Sequence, residues 1–274
     1  MIIKAIHTNA ILKEIPTEGH SPLRVLGSDY QMYVAKNDKG KVPPYSLINE
    51  FLASYFLNKW EVATPEIKLI TIAPALILAK DNLSINHKPH YYNTPCFGSK
   101  YIENAIDVNA LIVTEKKKAF NKINNPLDVF HITLFDTWVE NDDRKPTNYN
   151  LILEPHKNKF NVIAIDNAFI FSTMSYKDLN PEFVAASGND HLLVSDLGYL
   201  IKKYIQVTNS FINNEREYFY LCIGRCEKDF DKFMSQIAGF YNIDLDSVIA
   251  LKEFLFNKER NNKVFDEYVY RLHQ

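Results

Sequence analysis

The stretch that decides the fold runs Asp136-Thr-Trp-Val-Glu-Asn-Asp-Asp-Arg-Lys-Pro-Thr-Asn-Tyr-Asn-Leu-Ile-Leu153 and, after a polar interval, Val162-Ile-Ala-Ile-Asp166. Ahead of it Leu127, Phe130, His131, Leu134 and Trp138 recur at helical spacing, so the chain arrives on a buried helix that must stop at the polar cluster. Beyond the cluster, Tyr149 to Leu153 and Asn161 to Ile165 are short apolar runs joined by Glu-Pro-His-Lys-Asn-Lys, the pattern of a β-hairpin. Helix, polar loop and hairpin thus hold Asp143, Asn148 and Asp166 on one frame.

Phosphoryl transfer from ATP uses such a set. One carboxylate receives or orients the acceptor hydroxyl, while an amide and a second carboxylate hold the metal ions that neutralise the phosphates. In kinases an Asp is followed five residues on by an Asn, with a metal-binding Asp further downstream. Asp143 and Asn148 have that spacing, and Asp166 ends the second strand of the hairpin. An Asx-rich turn after a helix would look alike as far as Asn148; Asp166 supplies the third member.

Working outward, Leu23 to Leu26 and Tyr30 to Ala35 read as strands around a Gly27-Ser-Asp turn, and Lys36 closes the second of them. Before them lie apolar runs at Met1 to Ile6 and Ala10 to Ile15, then a turn from Pro16 to Pro22. The spacing predicts a helix from Ser46, with Glu50 in its first turns. Alone, Lys36 could close an ordinary hairpin, and Glu50 could be an acid at the positive helix end. In a kinase fold the strand lysine reaches the α- and β-phosphates and the helix glutamate positions it. Ala63 to Ile72 and Ala75 to Ala79 read as further strands, Asp81 to Tyr92 with His87 and His90 as a surface loop, and Cys96 to Ile102 as a strand and inter-lobe hinge.

Past Asp166 the composition is helical. Asn180-Pro181-Glu182 reads as a helix start, and Gly188-Asn-Asp-His191 as a turn. Helices are expected around 194–204, 210–222, 226–240 and 247–256, the last capped by Asp246. The predicted fold is α+β and two-lobed: an N-terminal nucleotide-binding lobe over 1–100, an antiparallel sheet with one helix, and a C-terminal, mainly helical catalytic lobe over 101–274.

Composition narrows the class. The chain has 274 residues, 46% apolar and 23% charged, as in an ordinary globular protein, and a net charge of −2. No basic block points to nucleic acid, and no apolar run approaches the roughly 20 residues of a membrane span. The segment Met1 to Thr8 is too short for a signal peptide, so a cytoplasmic location is expected. Three cysteines, Cys96, Cys222 and Cys226, are too few and too odd for a disulfide framework and read as buried apolar residues.

In order, Gly19-His-Ser21-Pro22, Tyr33-Val-Ala-Lys36, Asn49-Glu50-Phe-Leu, Pro65-Glu66, Asn141-Asp-Asp143-Arg144 with Asn148, and Ile165-Asp166 resemble the HipA-like kinases, above all the compact bacterial group that carries only the kinase core. The resemblance spans most of residues 15 to 170. It implies Asp143 as catalytic acid/base, Asn148 and Asp166 as Mg²⁺ ligands, Lys36 on the ATP phosphates, Glu50 as its partner, and a phosphate loop around Gly19 and Ser21. It implies a Ser or Thr hydroxyl on a protein as acceptor, autophosphorylation of Ser21 as an off switch, and room for a toxin-antitoxin partner or neighbouring subunit. Two features depart from the pattern: Asn167 stands where the group often has His, and the phosphate loop is poor in glycine. A small-molecule or lipid kinase would use the same residues, and a nucleotide-binding pseudokinase is the reading from another class.

Overall fold

The computed structural model describes residues 2–17, 21–39, 43–112, 116–185 and 190–274. The described part of the chain begins on a barrel. Strands β1 (Lys4–Glu14), β2 (Leu23–Gly27), β3 (Met32–Lys36), β4 (Ile67–Thr71) and β5 (Cys96–Lys100) close in the order β1-β2-β3-β5-β4. Four of the pairings are antiparallel, but β1 and β4 run parallel, with Lys4 opposite Lys68 and His7 opposite Thr71. The antiparallel sheet expected from the sequence is therefore corrected to a mixed, closed one. The two apolar runs at the N-terminus are a single strand, long enough to pair with β2 at one end and β4 at the other, which is what closure needs. Alternate residues fill the interior: Val25, Tyr33, Ile70, Ile72 and Cys96 belong to one small core.

Other expectations also shift. The run 75–79 is not a strand but part of a helix, α2 (Pro74–Leu78); Pro74 opens it, where a missing N–H costs nothing. A continuous apolar run has no period to separate the two. His87 is buried, its ring bonded to the Tyr92 hydroxyl at 2.5 Å and near the Glu14 carboxylate at 3.4 Å, so its segment is not a plain surface loop. At Asn180 no helix starts. The side chain accepts the Glu182 amide and the carbonyl accepts the Phe183 amide, a local turn that competes with a helix. Of the turn expected at 188–191, residues 188 and 189 lie outside the described residues.

Helix α1 (Ser46–Lys59) is buried on every side from Ser46 to Leu57, with no polar stripe. It lies between the barrel and the helices that follow. After β6 (Ile106–Asp107), α3 (Val108–Ile112) and α4 (Lys116–Lys122) comes α5 (Asp128–Val139), the buried helix predicted from the Leu127-to-Trp138 spacing. Its Thr133 and Thr137 satisfy their hydroxyls on carbonyls one turn back. The hairpin β7 (Leu151–His156) and β8 (Lys159–Ala164) is longer than expected, with only residues 157 and 158 in its turn.

Then follow α6 (Asp196–Tyr204), α7 (Asn209–Ala238), α8 (Leu245–Phe256) and α9 (Lys258–His273). The helices expected at 210–222 and 226–240 are one, because Gly224 lies in open space on the helix and breaks nothing. Asp244, not Asp246, caps α8 by accepting the Ser247 amide at 3.0 Å. All three cysteines are buried and free.

Helix α7 grips the C-terminal end of α1. Tyr55 stacks on Phe233 at 4.1 Å between centroids, Trp60 meets Phe219 edge-on, and Lys59 pairs with Asp229 at 2.6 Å. Tyr55 is fully buried, yet its hydroxyl has no hydrogen-bond partner among the described residues. A buried hydroxyl without a hydrogen bond costs about 1–3 kcal/mol. Tyr55→Phe, which keeps the stacked ring, is therefore expected to raise the melting temperature slightly; a fall in a thermal melt would show that the hydroxyl is satisfied in solution.

Candidate active site

Lys36 ends β3 on the barrel wall, and α1 carries Glu50 past it. The Lys36 Nζ lies 2.5 Å from Glu50 Oε1 and 2.7 Å from Asp166 Oδ1. Lys36 and Glu50 are buried, whereas the Asp166 side chain is 39% exposed. Burial alone would lower the Lys36 pKa; the charge of Glu50, then that of Asp166, outweighs it and holds the ammonium above its ordinary value. One cation thus joins the barrel, α1 and the end of the hairpin.

The chain turns sharply at Asp166, whose φ is 54°, and the next residues are held from α1. Glu50 Oε2 accepts the Asn167 amide at 3.0 Å, and Asn49 donates its side-chain amide to the Ala168 carbonyl at 2.9 Å while accepting the Tyr176 hydroxyl at 2.6 Å. Glu50 therefore does two jobs, one with each oxygen.

Asp143 and Asn148 sit in the loop after α5, which ends where Glu140 takes a left-handed conformation. Lys145 and Asn148 exchange both backbone hydrogen bonds at 3.0 Å, folding the loop back so that Asn148 Nδ2 donates to Asp143 Oδ1 at 3.0 Å. Asn150 Nδ2 donates to the other oxygen, Asp143 Oδ2, at 2.8 Å. The two groups of residues are joined by Arg144. Its guanidinium is buried, paired with Asp136, and donates to the Ile165 carbonyl at 3.0 Å and the Asn167 side chain at 2.8 Å. Burial pushes the Asp136 carboxyl up to about 6, against the pull of Arg144 beside it. The loop of Asp143 is thereby pinned to the strand end of Asp166. Asn167, at the position where the resembling group often has His, is the acceptor in that pin.

A cavity of about 370 Å³ opens beside this cluster. Lys36, Glu50, Asp166 and Asn167 form its polar end, and Val34, Phe97, Ile102 and Ile152 are among its apolar walls. The stretch expected as a hinge, 96–102, forms one side, although the amides of Lys100 and Tyr101 are already engaged by the Glu66 and Met32 carbonyls. From the loop before β2, Ile15, Thr17 and Pro22 face the cavity. Ser21 is buried, with φ 43°, its amide on the Thr17 hydroxyl at 3.0 Å and its hydroxyl turned to Glu14. Gly19 lies outside the described residues.

The structure thus brings Lys36, Glu50 and Asp166 together, and Asp143 with Asn148. Sequence reasoning gave no role to Asp136, Arg144, Asn150 or Asn167. Arg144 stood beside Asp143 in the quoted motif, but nothing in the chain order shows that an arginine turns inward. Among the described residues no cluster of three or more His, Cys, Asp or Glu could enclose a metal ion. Of the residues expected to hold a metal, Asp166 and Asn148 each carry an oxygen donor of the kind a hard cation takes, and they belong to the two groups that Arg144 joins.

The solved structures similar to this one include a Helicobacter pylori proinflammatory kinase, CtkA, at 14% identity and a TM-score of 0.57, over 99% of this chain and 98% of that one. A Golgi casein kinase with Mn/ADP bound overlaps more loosely, at 10% identity and a TM-score of 0.47, over 98% of this chain and 73% of that one. The first likeness fixes the fold as that of a kinase, mixed α and β. No curated protein matches the chain. The family model described as HipA-like kinase matches residues 9–198, more than half of the chain, and on that match the chain belongs to the HipA-like kinase family.

Proposed function

We propose that the protein is an ATP- and Mg²⁺-dependent kinase of two lobes, divided near residue 100, that phosphorylates a Ser or Thr hydroxyl on a protein. The observation that carries the reading is the double pairing of Lys36 with Glu50 and Asp166 at the polar end of a mainly apolar cavity of nucleotide size. An ammonium held charged by two carboxylates is ready to meet phosphate oxygens as Asp166 is drawn toward a cation.

On this reading the apolar walls around Val34, Phe97 and Ile152 take the base, and Lys36 orients the phosphates. Asp166 and Asn148 would hold Mg²⁺, which supplies charge neutralisation at the transferring phosphoryl group. Asp143 receives the acceptor's proton. Glu50 keeps Lys36 in place, and through the Asn167 amide it keeps the Asp166 turn in place as well. Thr17 and Pro22, which line the cavity, flank the segment read as the phosphate loop. A protein acceptor, an antitoxin or neighbouring subunit as partner, and a cytoplasmic site of action belong to this proposal. Among the described residues no helix is long and apolar enough to cross a membrane.

The test is incubation with γ-labelled ATP and Mg²⁺, with mass spectrometry of the protein and of added protein acceptors. Label on a Ser or Thr supports the reading; the absence of transfer to any hydroxyl, with nucleotide bound, would sink it in favour of a pseudokinase. Asp166→Ala is expected to weaken Mg²⁺-dependent nucleotide binding at least tenfold, removing about 1.4 kcal/mol or more of nucleotide-linked stability. The readout is the ATP-induced melting shift with Mg²⁺ and with EDTA. An unchanged difference between the two would move the metal site elsewhere.

A further inference from the structure

We infer that Asn150 is a positioning residue for Asp143, fixing the plane of its carboxylate for the acceptor hydroxyl; the inference rests on the kinase reading above. Both oxygens of Asp143 accept an amide, Oδ1 from Asn148 at 3.0 Å and Oδ2 from Asn150 at 2.8 Å. One hydrogen bond leaves a carboxylate free to turn about its terminal torsion, which is broad and weakly restrained. Two donors on opposite oxygens remove that freedom, and with it the misplacement that lowers a proton-transfer rate.

The two amides are not equivalent. Asn148 carries its carbonyl on the side chain that the metal reading also employs, so its orientation is shared between Asp143 and a cation. Asn150 stands outside that double duty. Its backbone is tied toward the other acid: the residue immediately precedes β7, and its carbonyl accepts the Ile165 amide at 3.1 Å, one residue before Asp166. Asn150 thus ties the carboxylate of the loop to the strand that delivers the second acid. The distance between the two acids is set partly through this one side chain.

A purely conformational role makes a rival explanation, because Asn150 has φ 45° and Asn is among the few residues that take this region readily. Glycine separates the two roles. Asn150→Gly keeps the left-handed backbone and removes only the donor.

The experiment measures kcat, the KM for ATP, and the melting temperature with and without nucleotide, for the parent, Asn150→Gly and Asn150→Asp. Asn150→Gly is expected to lower kcat by about 10- to 100-fold, with the KM for ATP and the nucleotide-induced melting shift unchanged. Asn150→Asp retains shape and backbone preference but sets a second carboxylate against Asp143, so its loss is expected to be the larger. In an Asp143→Ala background, adding Asn150→Gly is expected to lower the residual rate no further, since the group it positions is gone. Parent-level kcat in Asn150→Gly, or an undiminished extra loss in the Asp143→Ala background, would overturn the inference while leaving the kinase reading intact. Should the glycine variant melt early, Asn150→Asp carries the test, and parent-level kcat there overturns it equally. A parent protein with no transfer at all removes the kinase reading and this inference with it.

Discussion

Asp143→Ala is expected to reduce phosphoryl transfer by about 10³-fold, within the range that a positioned proton acceptor contributes, with nucleotide binding retained. The separation follows from the geometry. Asp143 lies in the loop after α5, in contact with Asn148 and Asn150, whereas Lys36, Glu50 and Asp166 line the cavity. Its loss frees two half-buried amides that water can serve, so the melting temperature should move little. Asp142, next in the chain and exposed, is the control. Asp142→Ala should keep the parent rate, and an inactive Asp142→Ala beside an active Asp143→Ala would shift the acid by one position.

Lys36→Met is expected to abolish measurable transfer and also to destabilise the fold, by about 3 kcal/mol at neutral pH, because removing one partner of a buried ion pair strands the other. Glu50, 2% exposed, would face Asp166 with no cation between them. Burial already pushes the Glu50 carboxyl up, with Lys36 opposing; without the lysine, burial and the charge of Asp166 act against the Asn167 amide alone. The sign of the pH dependence follows. A carboxyl whose folded pKa lies above its unfolded value of about 4.3 binds a proton more readily when folded, so its contribution favours the fold at low pH and is lost as pH rises through the raised pKa. The stability deficit of Lys36→Met against the parent should therefore be smallest near pH 4 and grow toward pH 8. Denaturant melts across that range measure it; a deficit independent of pH would mean that Glu50 finds another partner.

Much of the site was legible because its polar residues are local. Asp143 and Asn148 are five residues apart on one loop, and the hairpin that carries Asp166 is a short-range pattern of apolar runs. Lys36 and Glu50 are separated by a predicted strand end and helix start, which chain order also shows. What was not legible is tertiary. The parallel pairing of β1 with β4 joins residues more than sixty apart and leaves no local signature, so an open antiparallel sheet was the natural reading. Arg144 and Asp136 are charged residues that the fold buries as a pair, against the ordinary habit of both. The apolar run at 74–78 fits helix or strand until packing decides. Ser21 was read as part of a phosphate loop; it is buried near Glu14, whose carboxylate accepts the Ser84 amide at 2.8 Å from a segment some sixty residues away.

The grip of α7 on α1 has a consequence for control. A signal that silenced the enzyme by swinging α1 outward would have to part the Tyr55–Phe233 stack, withdraw Trp60 from its aromatic neighbours and break the Lys59–Asp229 pair, in a helix buried on every side from Ser46 to Leu57. Few effectors supply differential binding energy on that scale, since moving an equilibrium from 1:99 to 99:1 already takes about 5.5 kcal/mol. Competence of the Lys36–Glu50 pair is then a property of being folded at all. Loss of activity and loss of structure should coincide on heating, and a signal that silences this protein would have to act elsewhere than on α1.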